Sequence, residues 1–517
     1  MNQWNHGYVT EVDYTYGFYR ETTPQLMCLA AALRGFAPPD LKNGFTYCEL
    51  GFGQGFGANL LAAANPQGDF WGTDFNPQHA AGARELASAA SLSNTHWFDD
   101  SFEEFLLRET PDFDFIVLHG IYSWISVANR RCVVEFIRRK LKLGGLVYVS
   151  YNTLPGWASS EPLRTLLQAF DVSAAGSGQP LAQRIDAAMD FAGQLAGLKV
   201  GYFGANPDIA KRLDRMRAQN RNYLAHEYLN ADWHPQYFFE VVREMEAGKL
   251  SFVGSAYLLD HVDGVNFTPQ IAEKINDVTD PILRETVRDY CLNTQFRRDL
   301  FTKGGRRMSV SERDAWLQRQ QYVLQVPHQG LGNTIQSGAG EVRLQQEIYE
   351  PLVNILAEGV QSFEALLQKP ELKMIGAARL MQALTVLTGA GRVLPLIPQT
   401  KNASAPIAAL RFNAKVLEES GHADRFGFMA SPVVGSGIAL TRVSRLLLVA
   451  HAAGITDPAV MARRAWSSMK NVKQRVVRDG KPLESEEDNL SELTAMAEVF
   501  LEQELHVLRR LGVLGKI

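Results

Sequence analysis

The sequence predicts an α/β protein built around an open, mostly parallel sheet, and three observations indicate this. Between residues 45 and 157, five short apolar runs alternate with helical segments, which is the pattern of a parallel sheet covered by helices. The run 113–120 is typical of a strand covered on both faces. Further runs at 250–259 and 298–303, each after a helical insertion, would complete a sheet of seven strands.

The first strand ends in an acid, Glu49, and a glycine-rich loop follows it. A helix is predicted to begin at about Phe56 and to stop before Asn65-Pro66. Glycine lets the backbone approach a ligand closely, and the free N–H groups at the start of a helix favour an anionic group. Ligands of such sheets bind at the carboxyl ends of the strands. The glycines stand at alternate positions: Gly51, Gly53, Gly55 and Gly57.

Glu49 distinguishes two nucleotide cofactors that this loop could hold. Gly53, Gly55 and Ala58 satisfy the dinucleotide fingerprint G-x-G-x-x-G/A. A carboxylate beside the glycines would repel the pyrophosphate of NAD, however, whereas S-adenosylmethionine (SAM) carries an ammonium and a sulfonium there. Asp74, which ends the second strand at 70–74, suits the ribose diol of either cofactor. The pattern therefore favours SAM.

The third strand, 95–98, is followed by two acids whose roles the sequence does not separate. Either Asp99 or Asp100 could accept a hydrogen bond from the adenine amino group, or both could complement the dipole at a helix start. Ser101 and Glu104 have the spacing of a capping box, and Asn76 before Pro77 predicts another helix start. Gly144 and Gly145 are expected to stop the helix that follows the fourth strand. The predicted cofactor-binding residues are Glu49, Gly51, Gly53, Gln54, Gly55, Asn59, Asp74, Phe75, Asp99, Asp100, Ser101, Phe102, His119 and Gly120.

Aromatic residues at three places are candidates for the wall of a substrate pocket. They are Tyr16 and Tyr19 before the first helix, and Tyr122 and Trp124 after the fourth strand. Aromatic faces attract cations, although the first cluster could equally be a lid that packs over the sheet edge. Tyr151 and Asn152, at the end of the fifth strand, are candidates to orient an acceptor amine. His119 is the nearest candidate for a general base, or else a histidine bonded within the strand end.

Composition narrows the class of protein further. The chain has 517 residues with 46% hydrophobic content, and its net charge of −4 argues against general affinity for nucleic acid. No apolar run reaches the length of a membrane helix. The four cysteines are isolated, so neither a metal site nor a disulfide frame is indicated. These observations predict a soluble cytoplasmic protein.

Three domains are predicted. Residues 1–305 form the sheet domain with a helical insertion at about 158–300. Residues 306–400 form a linker, which is Gln- and Gly-rich at 320–340, and a second domain, and residues 401–517 form a mainly helical domain. Three short helices, at 345–358, 362–367 and 376–387, and a hairpin at 391–397 resemble a winged helix. The glycines at 435–437 lack the lysine of a phosphate loop, which indicates a structural turn.

Several motifs in order resemble one family, the bacterial SAM-dependent methyltransferases that carry a methyltransferase regulatory domain. That group includes rickettsial protein-lysine methyltransferases. The resemblance implies a Rossmann-like class I methyltransferase core, a regulatory region, a C-terminal region and, as in the lysine enzymes, a homodimer. The matching motifs are Asp13-Tyr-Thr-Tyr-Gly-Phe-Tyr-Arg-Glu21, Glu49-Leu-Gly-Phe-Gly-Gln-Gly55, Trp71-Gly-Thr-Asp-Phe-Asn-Pro77, Leu118-His-Gly-Ile-Tyr-Ser-Trp124, Val149-Ser-Tyr-Asn-Thr-Leu-Pro-Gly-Trp157, His226-Glu-Tyr-Leu229, Phe296-Arg-Arg-Asp-Leu300 and Ala430-Ser-Pro-Val-Val-Gly-Ser-Gly437.

One departure affects the catalytic residues. Many class I enzymes that methylate amines place Asn/Asp-Pro-Pro-Tyr after the fourth strand, whereas this chain has His119-Gly-Ile-Tyr122. The roles of Tyr122, Tyr151 and Asn152 are therefore inferred from position. The sequence favours a methyltransferase acting on protein lysine. A methyltransferase for small molecules or hydroxyl groups, and a SAM-sensing protein without turnover, remain the alternatives.

Overall fold

A seven-stranded sheet organises the first three hundred residues. The computed structural model describes residues 16–174, 179–219, 221–230, 232–329, 331–398 and 405–515, so Tyr14, in the first matching motif, lies outside the described residues. The strands occur in the order β3-β2-β1-β4-β5-β7-β6. They are β1 (Phe45–Leu50), β2 (Gly68–Thr73), β3 (Thr95–Phe98), β4 (Phe113–Leu118), β5 (Leu141–Asn152), β6 (Leu250–Ser255) and β7 (Phe296–Lys303).

The register confirms the predicted α/β core. β1 pairs in parallel with β2 and with β4, and β4 pairs in parallel with β5. β7 is the reversed strand, because it runs antiparallel to both β5 and β6. The start of β7 therefore lies at the same sheet edge as the carboxyl end of β5, with Phe296 opposite Asn152. Glycines 144 and 145 were expected to stop a helix, but β5 already begins at Leu141 and runs through them.

Helices cover both faces of this sheet. The predicted starts at Asn76 and Ser101 are confirmed, because each side chain accepts a hydrogen bond from the first turn of its helix. Helices α1 to α5 are α1 (Pro24–Leu33), α2 (Phe56–Ala64), α3 (Pro77–Ala89), α4 (Phe102–Leu107) and α5 (Val127–Lys140). The helical insertion before β6 contains α6 (Glu161–Ala174), α7 (Leu181–Gly197), α8 (Gly201–Ala205), α9 (Asp208–Arg217), α10 (Arg221–Leu229) and α11 (Phe238–Ala247). Between β6 and β7 lie α12 (Pro269–Asn276) and α13 (Pro281–Leu292).

The region after β7 is more regular than the sequence predicted. Residues 320–340 were expected to be a linker, yet residues 321–324 form the central strand of a small sheet. The hairpin expected at 391–397 is wrong, because residues 393–395 form a single strand that pairs with 322–324. The winged-helix assignment and the domain boundaries stay predictions. The elements are α14 (Val310–Arg319), β8 (Gln321–Leu324), β9 (Thr334–Ser337), β10 (Gly340–Arg343), α15 (Gln346–Glu358), β11 (Gln361–Ser362), α16 (Phe363–Gln368), α17 (Ala377–Gly389) and β12 (Val393–Pro395).

The last region is mainly helical and packs against α2. Its first hairpin confirms the structural turn predicted at 435–437, because Gly435 has a φ of 60° between two paired strands. The hairpin approaches the core closely: a Cβ on Gly437 would lie 2.8 Å from the ring of Phe18. The elements are α18 (Ala405–Ser420), β13 (Phe428–Ser431), β14 (Ser436–Ala439), α19 (Arg442–Ala452), α20 (Pro458–Asn471), β15 (Val477–Arg478), β16 (Lys481–Pro482), α21 (Glu486–Val499), a π-helical turn (Phe500–Glu504) and α22 (Leu505–Arg510).

Three predicted absences can be examined in the part of the chain that the structure describes. None of its helices combines the length and the apolar character that crossing a bilayer would require. No group of three or more potential ligands is placed to hold a metal ion there. All four cysteines, Cys28, Cys48, Cys132 and Cys291, are free.

Candidate active site

A crevice opens at the carboxyl ends of β1, β2 and β4, where the strand order of the sheet reverses. This is the edge at which open α/β sheets bind their ligands. We call this cavity the crevice. Twelve of the residues singled out from the sequence line it, namely Tyr19, Glu49, Gly51, Gly53, Gln54, Gly55, Asp74, Phe75, Phe102, His119, Gly120 and Trp124.

The glycine loop between β1 and α2 forms the floor of the crevice. Gly51, Gly53 and Gly55 have φ values of 75°, 57° and 68°, in the left-handed region that side chains other than glycine rarely adopt. Gly55 also has no room for a side chain, because a Cβ there would lie 2.4 Å from the Cβ of Ala83. The loop thus brings the start of α2 onto the sheet edge with its backbone exposed to the crevice.

Asp74 is fixed by the loop and by the start of α3. The Gly53 N–H donates to its Oδ2 at 2.8 Å, and the Asn76 N–H donates to its Oδ1 at 3.1 Å. The Nδ1 of His79 lies 3.0 Å from the same Oδ1. Because Asp74 is buried at 6% exposure and held by three groups, its carboxylate has one defined orientation at the crevice wall. A ribose diol needs such an acceptor.

Glu49 gives the crevice its electrostatic character. Its carboxyl group lines the crevice, and burial raises its pKa to about 8, to which the neighbouring Asp74 also contributes. Removing a carboxylate from water is costly, so the ionised form of Glu49 requires a compensating positive charge. The crevice therefore favours a cationic ligand next to the glycine loop.

His119 lies at the rim between the crevice and β5. Its Nδ1 is 2.9 Å from the hydroxyl of Tyr148, and its ring stacks on Tyr19 with 3.5 Å between the ring centroids. Burial, with a contribution from Arg298, lowers the pKa of His119 to about 3. The imidazole is therefore neutral near pH 7, and it is too weak a base to remove a proton from an alkylammonium group. It can orient an acceptor by hydrogen bonding.

The three residues predicted around the ends of β4 and β5 require correction. The hydroxyl of Tyr122 donates to Glu244 on α11, and that of Tyr151 donates to Asp299 on β7 at 2.6 Å. Both rings belong to the core on the other face of the sheet and are nearly fully buried. Asn152 is also buried and does not line the crevice. None of the three side chains is placed to contact a cofactor there.

Asn59 and Ser101 serve the local structure, which corrects their predicted cofactor roles. The amide of Asn59 donates to the carbonyls of Gly55 and Ala83, and its Oδ1 accepts from Trp97 Nε1. Every polar atom of this buried side chain is thus used within the protein. Ser101 caps α4 and does not line the crevice.

Asp99, Asp100 and Tyr16 likewise lie outside the crevice lining. Asp99 pairs with Arg84 at 2.8 Å, and a hydrogen bond from that arginine lowers its pKa. Asp100 accepts from Arg108 Nη2 at 2.9 Å. Neither carboxylate is therefore free toward the position expected for adenine. Tyr16 packs edge-on against Phe426 of the C-terminal region.

Sequence reasoning missed several residues that line the crevice. The most informative is His79, five positions after Asp74 in the first turn of α3, a spacing that could have indicated their contact. Ile121 and Ile125 gave no chemical signal, because they are ordinary apolar residues. Phe56 was expected only to begin a helix, and Phe18 only to belong to the aromatic cluster before the first helix; the C-terminal region packs behind both.

These residues fit SAM. Glu49 would hold its amino-acid ammonium, Asp74 its ribose diol, and the rings of Phe75 and Phe102 would offer apolar surface to its adenine. The observation that decides the fit is the half-buried Glu49, whose raised pKa indicates that its carboxylate needs a cation beside the glycine loop. A dinucleotide would bring a diphosphate to the same place, where the carboxylate disfavours it.

Two family models match the chain. One, described as "Methyltransferase domain", matches residues 48–147, and the other, described as "Predicted methyltransferase regulatory domain", matches residues 220–303. The first covers most of the crevice lining and runs from β1 into β5. The second runs from α10 to the end of β7.

Relatives and a solved structure extend the similarity. The chain is 42% identical over 510 residues to the protein sll1526 of Synechocystis sp. (strain ATCC 27184 / PCC 6803 / Kazusa), with 99% of each chain covered. It is 27% identical over 305 residues to RP789 of Rickettsia prowazekii (strain Madrid E), covering 57% of this chain and 52% of that protein. The structure of PKMT2 from Rickettsia typhi in complex with AdoHcy has the same fold, with a TM-score of 0.70, 19% identity, and 96% and 99% of the two chains covered.

Proposed function

Because the chain belongs to the bacterial class I SAM-dependent methyltransferases with a methyltransferase regulatory domain, we propose that it methylates lysine side chains of a protein. The observation that carries the choice of acceptor is the aromatic rim of the crevice. Tyr19 is 40% exposed and stacks on His119, and Trp124 lines the crevice beside them. Aromatic faces attract an ammonium group and also cover its methylene stem.

Some residues of the crevice would bind SAM, and others would surround and orient the acceptor amine. SAM supplies an electrophilic methyl group on a sulfonium. Glu49 would bind its ammonium and Asp74 its ribose diol, and the glycine loop would let the backbone approach it closely. Tyr19 and Trp124 would exclude water around the acceptor, which lowers the pKa of a lysine ammonium and favours the nucleophilic amine. The neutral His119 would accept a hydrogen bond from that amine.

The weak basicity of His119 also bears on the alternative acceptors. A hydroxyl group has a much higher pKa than an alkylammonium and depends more on a general base during transfer. With a pKa of about 3, His119 does not meet that need. This supports an amine acceptor over a hydroxyl. The fold shared with PKMT2 of Rickettsia typhi adds support at the level of architecture.

The deciding experiment is incubation of the purified protein with radiolabelled SAM and a bacterial lysate. We expect labelled protein bands whose acid hydrolysates contain methyllysine. Label in small molecules alone, or retention of SAM without transfer, would contradict the proposal. Tyr19→Phe and Tyr19→Ala form a matched pair, because the first keeps the ring over His119 and the second removes it. We expect turnover to be retained by the first and to fall about tenfold in the second.

A further inference from the structure

A second cavity lies beside the crevice at the same edge of the sheet. It has a volume of about 250 Å³ and is enclosed by the start of β7, the end of α13 and the turn after β6. Gly338, in the hairpin between β9 and β10, closes one side. The ring of Phe296 in its wall is 6.1 Å from the ring of His119 in the crevice lining, measured between centroids, so these two rings connect the walls of the two cavities.

Carboxyl groups dominate the charges around this acid-rich cavity. Its walls contain four: Asp260, Glu285, Asp289 and Asp299. Three of these carboxylates pair with one arginine of the wall, Arg297. Arg297 contacts Asp289 at 2.8 Å and Asp299 at 2.9 Å, and it reaches Glu285 at 3.1 Å.

The other two arginines of the wall, Arg288 and Arg298, do not fully neutralise the negative charge of its carboxylates. Arg288 forms its closest ion pair with Asp263, which lies outside the wall, and a looser one at 3.7 Å with Glu285, so the wall holds three guanidinium groups against four carboxylates. Arg298 rests its guanidinium over the rings of Tyr257 and Phe296, at 5.0 and 5.2 Å from their centroids. No ion pair joins Arg298 to a carboxylate among the described residues. The wall is therefore short of positive charge.

Asp289 shows where a positive charge is missing. This residue is only 3% exposed, and its Oδ1 accepts a hydrogen bond from Arg297. Its Oδ2 is buried without a hydrogen-bond partner among the residues that the structure describes. Leaving a buried carboxylate oxygen without a donor is costly, and burial accordingly raises the pKa of Asp289 to about 6.

We propose that the acid-rich cavity binds a primary ammonium group, that of a second lysine side chain of the substrate, next to the lysine in the crevice. This inference rests on the proposed function. An ammonium group has three donors and a compact charge, which suits the free Oδ2 of Asp289 and its neighbouring carboxylates. Because no described group of side chains is arranged as a metal site, an organic cation fits better than a metal ion. The enzyme would then prefer acceptor lysines that have a second lysine nearby.

The test uses n-butylamine, which reproduces the ammonium and methylene stem of lysine, on the full chain saturated with S-adenosylhomocysteine. Calorimetry at pH 7 is expected to give measurable binding to the unsubstituted protein and at least tenfold weaker binding to Asp289→Asn. Asp263→Asn is the matched control, because it removes a carboxylate from the same ion-pair network but outside the cavity wall. We expect that control to bind the amine within about threefold of the unsubstituted protein.

A second variant keeps the test decisive if Asp289→Asn does not fold. A Cβ on Gly338 would meet no atom closer than 3.4 Å, so Gly338→Leu can narrow the acid-rich cavity without removing a charge. It is expected to weaken amine binding as well. Amine binding that is absent in the unsubstituted protein, or unchanged in Gly338→Leu and in a folded Asp289→Asn, would overturn the inference.

Failure of this inference can be distinguished from failure of the proposed function. S-adenosylhomocysteine binding and label transfer to protein test the crevice and do not require the second cavity. If both succeed and the amine does not bind, only the second site is lost. If the amine binds but no protein is labelled, the cavity stands as a cation site and its assignment to a substrate lysine is overturned.

Discussion

The carboxyl ends of β1 and β5 lie at the same edge of the sheet, yet a polar side chain at one end lines the crevice and one at the other end is buried in the core. Glu49 lines the crevice, where its burial creates a demand for a cation. Tyr151 is directed to the other face and is satisfied by Asp299. On the crevice side of β5, the hydroxyl of Tyr148 contacts His119, and the hydroxyl of Ser150 accepts a hydrogen bond from the Gly120 N–H. One residue along a strand thus separates a site residue from a core residue.

Among the substitutions that test this comparison, Glu49→Gln is expected to have the largest effect. The change removes the charge that compensates the cationic end of SAM while it keeps the side-chain shape, so the affinity for SAM should fall about 100-fold. Calorimetry measures it directly. Glu244→Gln is the matched control, because that carboxylate accepts from Tyr122 on the other side of the sheet. Equal affinities of the two variants would remove Glu49 from the site.

The glycine loop offers the next largest effect. Gly55→Ala should lower the free energy of unfolding by about 2 kcal/mol, because it combines a left-handed backbone with contact against Ala83. Gly82→Ala, in α3, meets nothing within 4 Å and should raise the stability slightly. Urea unfolding of the two variants provides the measurement. A Gly55→Ala variant as stable as the unsubstituted protein would contradict the packing of the loop.

Two tyrosines of β5 sharpen the comparison between the faces. Tyr148→Phe removes the hydroxyl that contacts His119, so kcat should fall about tenfold while SAM affinity is retained. Tyr151→Phe removes the donor to Asp299 and should lower the stability by about 1 kcal/mol without changing kcat. Steady-state kinetics and urea unfolding separate the outcomes. The reverse pattern would show that the faces have been assigned wrongly.

The smallest effect is the pH dependence of the stability without SAM. Between the ordinary pKa of a glutamate and about 8, folded Glu49 keeps a proton that the unfolded chain releases. The contribution of this group is therefore most favourable at low pH and is lost as the pH rises toward 8. Relative to Glu49→Gln, the unsubstituted protein should lose on the order of 1 kcal/mol between pH 7 and 8. A constant difference in urea unfolding would argue against the buried position of Glu49.

The sequence predicts those features that depend on local chemistry. The order of strands and helices, the helix starts at Asn76 and Ser101, and the glycine loop all follow from neighbouring residues. What it misses depends on distant parts of the chain. Tyr122 is placed by Glu244, more than a hundred residues away. Likewise, residues 321–324 stand at the start of a Gln- and Gly-rich stretch, and their role as a strand depends on pairing with 393–395.

The contact between the C-terminal hairpin and the wall of the crevice has a consequence for how the chain can be divided. Phe18 packs edge-on against Phe428, and Phe56 stacks on Phe426 with 4.7 Å between centroids. In a fragment that ends before residue 405, the sides of Phe18 and Phe56 that face away from the crevice would be exposed to water. The SAM-binding unit is thus not a module that can be excised from the amino-terminal half. Its rear wall is contributed by the last quarter of the chain.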